Sequence, residues 1–318
     1  MTKFRPLVPA AFAAFLLAGA VAAQTPAPPK APEIPPFETI QADPHSWVGR
    51  FGATNSAWFD LGDAVLLIDS GASEADGRNL AAEVKRTVPG KPVKWFVMTH
   101  LHGDSNGGFP AFMPTDATIL VNHRALPNFG GLVRGAGKAP TVVGVKDKLV
   151  IQGRTQSLEI HAPASTAHTA DDLWVFQPSA NAVYVGDLVT PGRCPMMSDP
   201  GTDPKGWLAV LDQIEAVNAG ALVPTRGPST LKVAEQILGT RSYIKRMLDI
   251  LTAMKKINAA EARVSGELAA QKIGEYCPKE LDVANALYLY RRMNDDGTFK
   301  QKPGGPAGGP AKPAPKKN

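Results

Sequence analysis

The sequence predicts an α/β protein with two β-sheets packed face to face and helices outside. Three observations predict it. Short β-rich stretches alternate with amphipathic helical ones, in the order strands, helix, strands, helix. One strand, 93–98, is apolar at every position but Lys94, as expected of a strand covered on both faces over most of its length. A helical pattern then runs on from residue 229. Periodicity alone leaves other layered α/β folds open.

Residues 1–23 carry Lys3 and Arg5, then an apolar run that closes on Ala20, Val21, Ala22 and Ala23. This is the layout of a secretory signal peptide, with cleavage expected before Ala23 or Gln24. A membrane anchor is the alternative reading, but the run contains Pro9 and falls short of the ~20 apolar residues a spanning helix needs. The mature protein is therefore expected to be exported, periplasmic or secreted, with no membrane contact after cleavage. Residues 24–36 form a proline-rich linker, extended because each proline fixes φ and removes a donor.

Strands are expected at 47–51, 56–61 and 64–69, a meander broken by Gly52 and by Gly62-Asp63. A helix over 73–88 places Leu80, Ala81, Val84 and Val88 on one face and opens on Ser73 with Asp76 three residues later. After strand 93–98 come strands 117–121, 142–151, 157–161, 173–177 and 182–186, a helix over 205–218 and a short strand at 221–223. Together 37–228 make one domain. In 229–297 Ile237, Ile244, Met247, Leu248, Leu251 and Met254 recur at helical spacing, so this stretch is a C-terminal helical extension. Residues 298–318 are expected to be a disordered basic tail, because their Gly, Pro, Ala and Lys cannot offset the entropy of ordering.

The net charge is +5. Seven basic residues (Lys3, Arg5, Lys300, Lys302, Lys312, Lys316 and Lys317) sit at the two ends, and without them the balance is −2. The folded part is thus no basic body that tracks phosphates, which excludes a nucleic-acid partner. Two cysteines, Cys194 and Cys277, are too few for a zinc-thiolate cluster. In an oxidising compartment they can pair, but the sequence gives no separation and leaves the pairing open.

The chemistry-bearing stretch is Thr99-His100-Leu101-His102-Gly103-Asp104-Ser105-Asn106-Gly107-Gly108, directly after the buried strand. Outside a regular strand, two histidines two apart can turn both imidazoles toward one point, and the paired glycines permit positive φ at a sharp turn. Zinc needs convergent nitrogens at ~2.0–2.1 Å. Solvent-exposed loop histidines are the bland alternative. It is weakened by the preceding apolar strand, the nearby acid, and a third histidine, His168, 66 residues after His102 and again between two strands.

These stretches resemble the metallo-β-lactamase superfamily. Residues 65–71, VLLIDSG, are similar to its strand ending in Asp-x-Gly. THLHGDSNGG resembles its Thr-His-x-His-x-Asp-x-x-Gly-Gly signature, AHTADD its Gly-His-Thr segment, and YVGDL its Gly-Asp-x-Leu segment. They occur in the family's order across roughly residues 46–228. The resemblance implies a four-layer αββα sandwich with the C-terminal helical extension added. It implies that His100, His102 and His168 hold a zinc ion, that Asp104 and Asp187 match the acids that bind a second ion in two-metal members, and that Asp69 supports the metal loop. For Asp69 a plain strand-end turn is an equal alternative.

Two positions depart from the family's pattern. Ser105 and Arg226 stand where many members have histidines of the second metal site. Guanidinium has no lone pair for a metal, so one tightly bound zinc is expected and the second site is weak or absent. An inward Arg226 would set a fixed positive charge beside Asp104 and Asp187, or hold a substrate carboxylate by a bidentate pair. A surface arginine in a Gly-Pro turn is the other reading.

The resulting expectation is an exported zinc-dependent hydrolase acting on a small-molecule substrate. Zinc-bound hydroxide would attack an amide or ester carbonyl, including lactams and lactones, with zinc or Arg226 steadying the oxyanion and Asp104 orienting the nucleophile. A rival on the same scaffold is a mononuclear iron enzyme like the persulfide dioxygenases, with iron on His100, His168 and Asp187. A third is a binding or accessory protein without turnover. His123 reads as a cap or packing residue, His45 and His161 have no neighbouring histidine and no signature around them, Met196-Met197 reads as loop packing rather than the lining of a substrate mouth, and the Gly-rich stretch 130–137 lacks the Lys-Ser/Thr of a phosphate cradle. The substrate, the oligomeric state and the role of the C-terminal helices are not legible at this level.

Overall fold

The computed structural model describes residues 37–51, 54–113, 115–130, 140–271, 273–274 and 276–300. The expected signal peptide, the linker and residues 131–137 of the Gly-rich stretch lie outside the described residues, as does the tail from 301 on. Among the described residues no helix is long and apolar enough to cross a membrane.

A seven-stranded sheet runs in the order β1 (Phe37–Asp43), β2 (Ser46–Phe51), β3 (Thr54–Asp60), β4 (Val65–Ile68), β5 (Val93–Val97), β6 (Thr118–Asn122) and β7 (Thr141–Val145). Its first three pairings are antiparallel, while β4 to β7 run parallel. The second sheet has the order β12 (Ala221–Val223), β11 (Ala182–Tyr184), β10 (Trp174–Gln177), β9 (Ser157–His161) and β8 (Lys148–Gln152). It is antiparallel except for the parallel pair β11 and β12.

The two inner faces meet in one apolar layer. Phe59, Leu66, Ile68, Val97 and Leu120 come from the first sheet, and Leu158, Ile160, Val175 and Tyr184 from the second. Phe59 and Tyr184 meet edge to face with ring centroids 5.0 Å apart. Each fully buried Leu, Ile or Phe here contributes roughly 1.5–3 kcal/mol.

Helix α1 (Glu74–Thr87) covers the outer face of the first sheet through Leu80 and Val84, packed with Trp58, Leu67 and Phe96. Ser73 caps it as expected: its Oγ accepts from the Asp76 N–H at 3.2 Å and donates to Asp76 Oδ2 at 2.8 Å. Two single-turn helices follow in the loops, α2 (Gly103–Asn106) and α3 (Leu126–Phe129). The outer face of the second sheet is covered by α4 (Pro204–Ala216), α5 (Val233–Lys256), α6 (Glu261–Ala270) and α7 (Lys279–Arg292), with Trp207, Ile244 and Leu289 packed in one cluster with Trp174 and Val183. The layers are therefore helix, sheet, sheet, helix, and the C-terminal extension belongs to the outer layer.

The expected elements recur with four corrections. β1 was not expected, because an exposed strand after a proline-rich stretch has no buried face to pattern it. The expected strand 142–151 is two strands in different sheets, since Lys146-Asp147 interrupts the run and the chain crosses between sheets there. β5 is fully buried only at Phe96 and Val97, so its apolar run overstates its cover. Residues 298–300, assigned to the tail by composition, fold back through a bridge between Met293 and Phe299.

Candidate metal centre

Parallel pairing sets up the site. β4 and β5 run side by side with Ile68 opposite Val97, and β11 and β12 with Tyr184 opposite Val223. The loops leaving their C-terminal ends carry Asp69, His100, His102, Asp104, Asp187 and Arg226, and the β9–β10 connection carries His168.

The three imidazoles come together. Their ligand atoms all lie within 4.8 Å of one another, and His168 Nε2 is 3.2 Å from His102 Nδ1. Each ring pair is edge to face, with centroids 4.8 to 5.0 Å apart. His100 and His168 are buried, and His102 is the partly open member.

The outward nitrogen of each ring is occupied, which fixes the tautomer. Thr99 donates its hydroxyl to Asp69 Oδ2 at 2.8 Å, so its oxygen accepts from His100 Nδ1–H at 3.1 Å. His168 Nδ1–H donates to the Met196 carbonyl at 3.0 Å. His102 Nε2–H donates to Asp199 Oδ2 at 2.8 Å. The free lone pairs are then on His100 Nε2, His102 Nδ1 and His168 Nε2, the atoms that face inward. Two unprotonated nitrogens 3.2 Å apart repel unless a cation or proton lies between them, so the donor set fits a metal.

Protonation points the same way. Burial holds His100 well below the usual imidazole range, with the neighbouring His102 adding to it, and it pushes His168 down to about 4. Both are neutral ligands near neutral pH. Burial also pushes His102 down, but its bond to Asp199, with the charges of Asp199, Asp104 and Asp187, outweighs this and raises it.

Arg226 points inward. Its Nε donates to Asp187 Oδ1 at 3.2 Å, its Nη2 donates to Asp187 Oδ2, and its Nη1 donates to Asp104 Oδ2 at 2.8 Å. Asp187 is 1% exposed and Asp104 43%, so the guanidinium links a buried carboxylate to one at the mouth. Asp187 Oδ2 also lies 3.7 Å from His100 Nε2 and 3.6 Å from His168 Nε2. Burial alone would raise Asp187, but Arg226 outweighs it, with His100 and His168, and holds it well below the usual carboxylate range. The surface reading of Arg226 is corrected. Its Nε–Nη2 edge is taken by Asp187.

The Arg226 loop is held by a distant strand. Asn55 Nδ2 donates to the carbonyls of Pro224 at 2.9 Å and Gly227 at 2.8 Å, and Asn55 N–H to Thr225 O at 2.7 Å. Gly227 has φ +103°, and a Cβ there would sit 2.5 Å from the Pro191 carbonyl oxygen, so only glycine fits. Asp69 lies beneath the metal loop at φ 55° and accepts from Thr99 N–H, Thr99 Oγ1, Asn106 Nδ2 and Thr225 Oγ1. It supports the loop rather than serving as a strand-end turn alone. Burial raises its carboxyl to about 6 against these bonds.

The paired glycines act differently from the expectation. Gly107 and Gly108 have φ of −62° and −82°, not positive values. They are required for close approach: a Cβ on Gly108 would lie 2.1 Å from the Ser70 carbonyl oxygen, and one on Gly107 2.3 Å from that of Ala72.

Residues 49–226 match the sequence pattern of the family described as the metallo-beta-lactamase superfamily. The chain belongs to the metallo-β-lactamase superfamily. The lactamase-like protein adaB of Aspergillus niger is 22% identical over 240 residues, which is 74% of this chain and 68% of that protein. Among solved structures, a metallo-beta-lactamase from Pontibacter korlensis superposes with TM-score 0.55 at 23% identity, covering 66% of this chain and 99% of that one. A metallo-beta-lactamase from Hirschia baltica gives 0.51 at 21%, covering 66% and 97%. At these identities the structures speak for the shared fold.

Ser105 Oγ lies 3.3 Å from His100 Nε2. Cys194 and Cys277 form a disulfide. His161 stacks on Trp174 at 3.9 Å, His45 lies 3.8 Å from Asp60, and His123 Nδ1 lies 3.3 Å from the Val145 carbonyl oxygen, so none of them joins the site. Asp199 and the Met196 carbonyl were missed. Asp199-Pro200-Gly201 reads as a turn, and a backbone carbonyl leaves no mark on sequence.

Proposed function

We propose that this protein is an exported zinc-dependent hydrolase with one tightly bound zinc on His100, His102 and His168. The observation that carries the reading is the convergence of three imidazoles whose outward nitrogens are all hydrogen-bonded. Three nitrogen ligands and a vacant fourth position are the donor set of catalytic zinc. A cation held there supplies Lewis acidity and lowers the pKa of a water from ~15.7 to ~7.

The chain's own groups supply the rest. Arg226 stands among the carboxylates that match second-metal ligands, so its fixed charge replaces a second cation, and Asp104 and Asp187 act as its partners instead of as ligands. That charge also steadies negative charge developing on a substrate carbonyl oxygen. Asp104, exposed at the mouth, orients the attacking water and carries its proton toward the leaving group. The substrate class is an amide or ester carbonyl, lactam and lactone rings included.

The iron reading asks Asp187 to serve as a ligand with His100 and His168, the two-histidine, one-carboxylate set. Both oxygens of Asp187 are already hydrogen-bonded by Arg226, which favours the three-imidazole zinc set. Export is supported by the apolar leader and by the Cys194–Cys277 disulfide, a bond that persists in oxidising compartments.

The test is metal analysis of protein purified without added metal, with hydrolysis assays on β-lactams, lactones, thioesters and phosphoesters. Zinc with His100-dependent turnover supports the reading. Iron with oxygen consumption overturns it in favour of the dioxygenase. A biological phenotype untouched by His100→Ala, in a folded chain, overturns it in favour of an accessory role.

A further inference from the structure

Segment 194–199, between β11 and α4, is neither strand nor helix. It nevertheless delivers two of the three groups that orient the imidazoles: the Met196 carbonyl to His168 and the Asp199 carboxylate to His102. Its shape is set largely by the C-terminal extension. Asn285 of α7, fully buried, accepts from Met197 N–H at 3.0 Å and donates to the Pro195 carbonyl at 2.8 Å, gripping the chain on both sides of Met196. Asn285 is itself held, donating to the Tyr243 hydroxyl at 3.0 Å, which in turn donates to Asp282 at 2.9 Å. Arg292 Nη1 donates to the Asp199 carbonyl at 3.1 Å. The Cys194–Cys277 disulfide ties the start of the segment to the connection before α7.

We propose that α7 is a positioning element of the metal centre, with Asn285 as its principal positioning residue and Arg292 and the disulfide as supports. The inference rests on the three-histidine reading above. Ordering of 194–199 by α7 holds the Met196 and Asp199 acceptors in place, and these hold His168 and His102 in the tautomers that turn free lone pairs inward. This gives the helical extension a function that its packing against the second sheet does not by itself require.

The experiment measures the zinc dissociation constant by chelator competition on the full mature chain, with the cobalt(II) absorption spectrum as a report on ligand geometry. Asn285→Ala is expected to weaken zinc binding about 10-fold or more, within the range of changes to groups that orient ligands, and to alter the cobalt spectrum. Arg292→Met, at a partly exposed position, is expected to weaken it by a smaller factor. It decides the matter if Asn285→Ala does not fold. Val264→Ala, in the buried core of α6, lowers stability without touching the segment and should bind zinc as the wild type does. Wild-type affinity and spectrum in the folded Asn285 and Arg292 variants, or equal loss in the Val264 control, overturns the inference. Failure of the wild-type chain to bind zinc overturns instead the metal-site reading on which it rests.

Discussion

Arg226 and Asp187 form a bidentate ion pair at the floor of the site, through Nε to Oδ1 at 3.2 Å and Nη2 to Oδ2. The same guanidinium reaches Asp104 Oδ2 at 2.8 Å, so one side chain neutralises two acids that match a second-metal position. Arg226→His removes the fixed charge and restores a lone pair. Bound zinc is expected to rise from about one toward two per chain, read by elemental analysis after dialysis. An unchanged stoichiometry shows that Arg226 is not what keeps the second ion out.

Asp199 governs His102 from 97 positions away in the chain. Asp199→Ala removes the acceptor for Nε2–H and frees the ring to turn or change tautomer. Zinc affinity is expected to fall about 10- to 100-fold, as for other groups that orient metal ligands, with the fold retained. Chelator competition measures it, and wild-type affinity would contradict the tautomer argument.

Gly108 tests the close approach of the metal loop to the strand end before α1. Gly108→Ala drives a methyl against the Ser70 carbonyl, 2.1 Å from the ideal Cβ position, so the backbone must move. Stability is expected to fall by roughly 1–3 kcal/mol, the usual cost of overpacking, and metal affinity to fall with it. Denaturant unfolding of the metal-free chain checks the first, and an unchanged midpoint would show that the loop yields freely.

The Cys194–Cys277 disulfide closes a separation of 83 residues. The chain-entropy account assigns such a loop about 4.5 kcal/mol. Cys194→Ser with Cys277→Ser is expected to lower stability by about that amount in denaturant melts. A loss below about 1 kcal/mol would contradict the loop-entropy account.

Much of this site is legible in the sequence alone. The apolar strand β5 and the two-apart histidines behind it are local features, and local patterns survive in sequence. The sequence left the direction of Arg226 open between an inward and a surface reading, because the contacts that hold Pro224-Thr225-Arg226-Gly227-Pro228 come from Asn55, 169 positions before Pro224, and from Asp69. Asp199 and the Met196 carbonyl were hidden for the same reason. Their roles exist only once α7 has folded over segment 194–199. The break between β7 and β8 was hidden by apolar residues on both sides of Lys146-Asp147, which carry one alternating pattern across two sheets.

A single zinc ion held by His100, His102 and His168 must be lost when one of the three imidazoles is removed. The decisive measurement is elemental analysis of the protein beside its His168→Ala variant, both purified without added metal. About one zinc per chain is expected in the first and almost none in the second, with the variant still folded by circular dichroism. Iron in place of zinc, or zinc that survives the loss of His168, would contradict it.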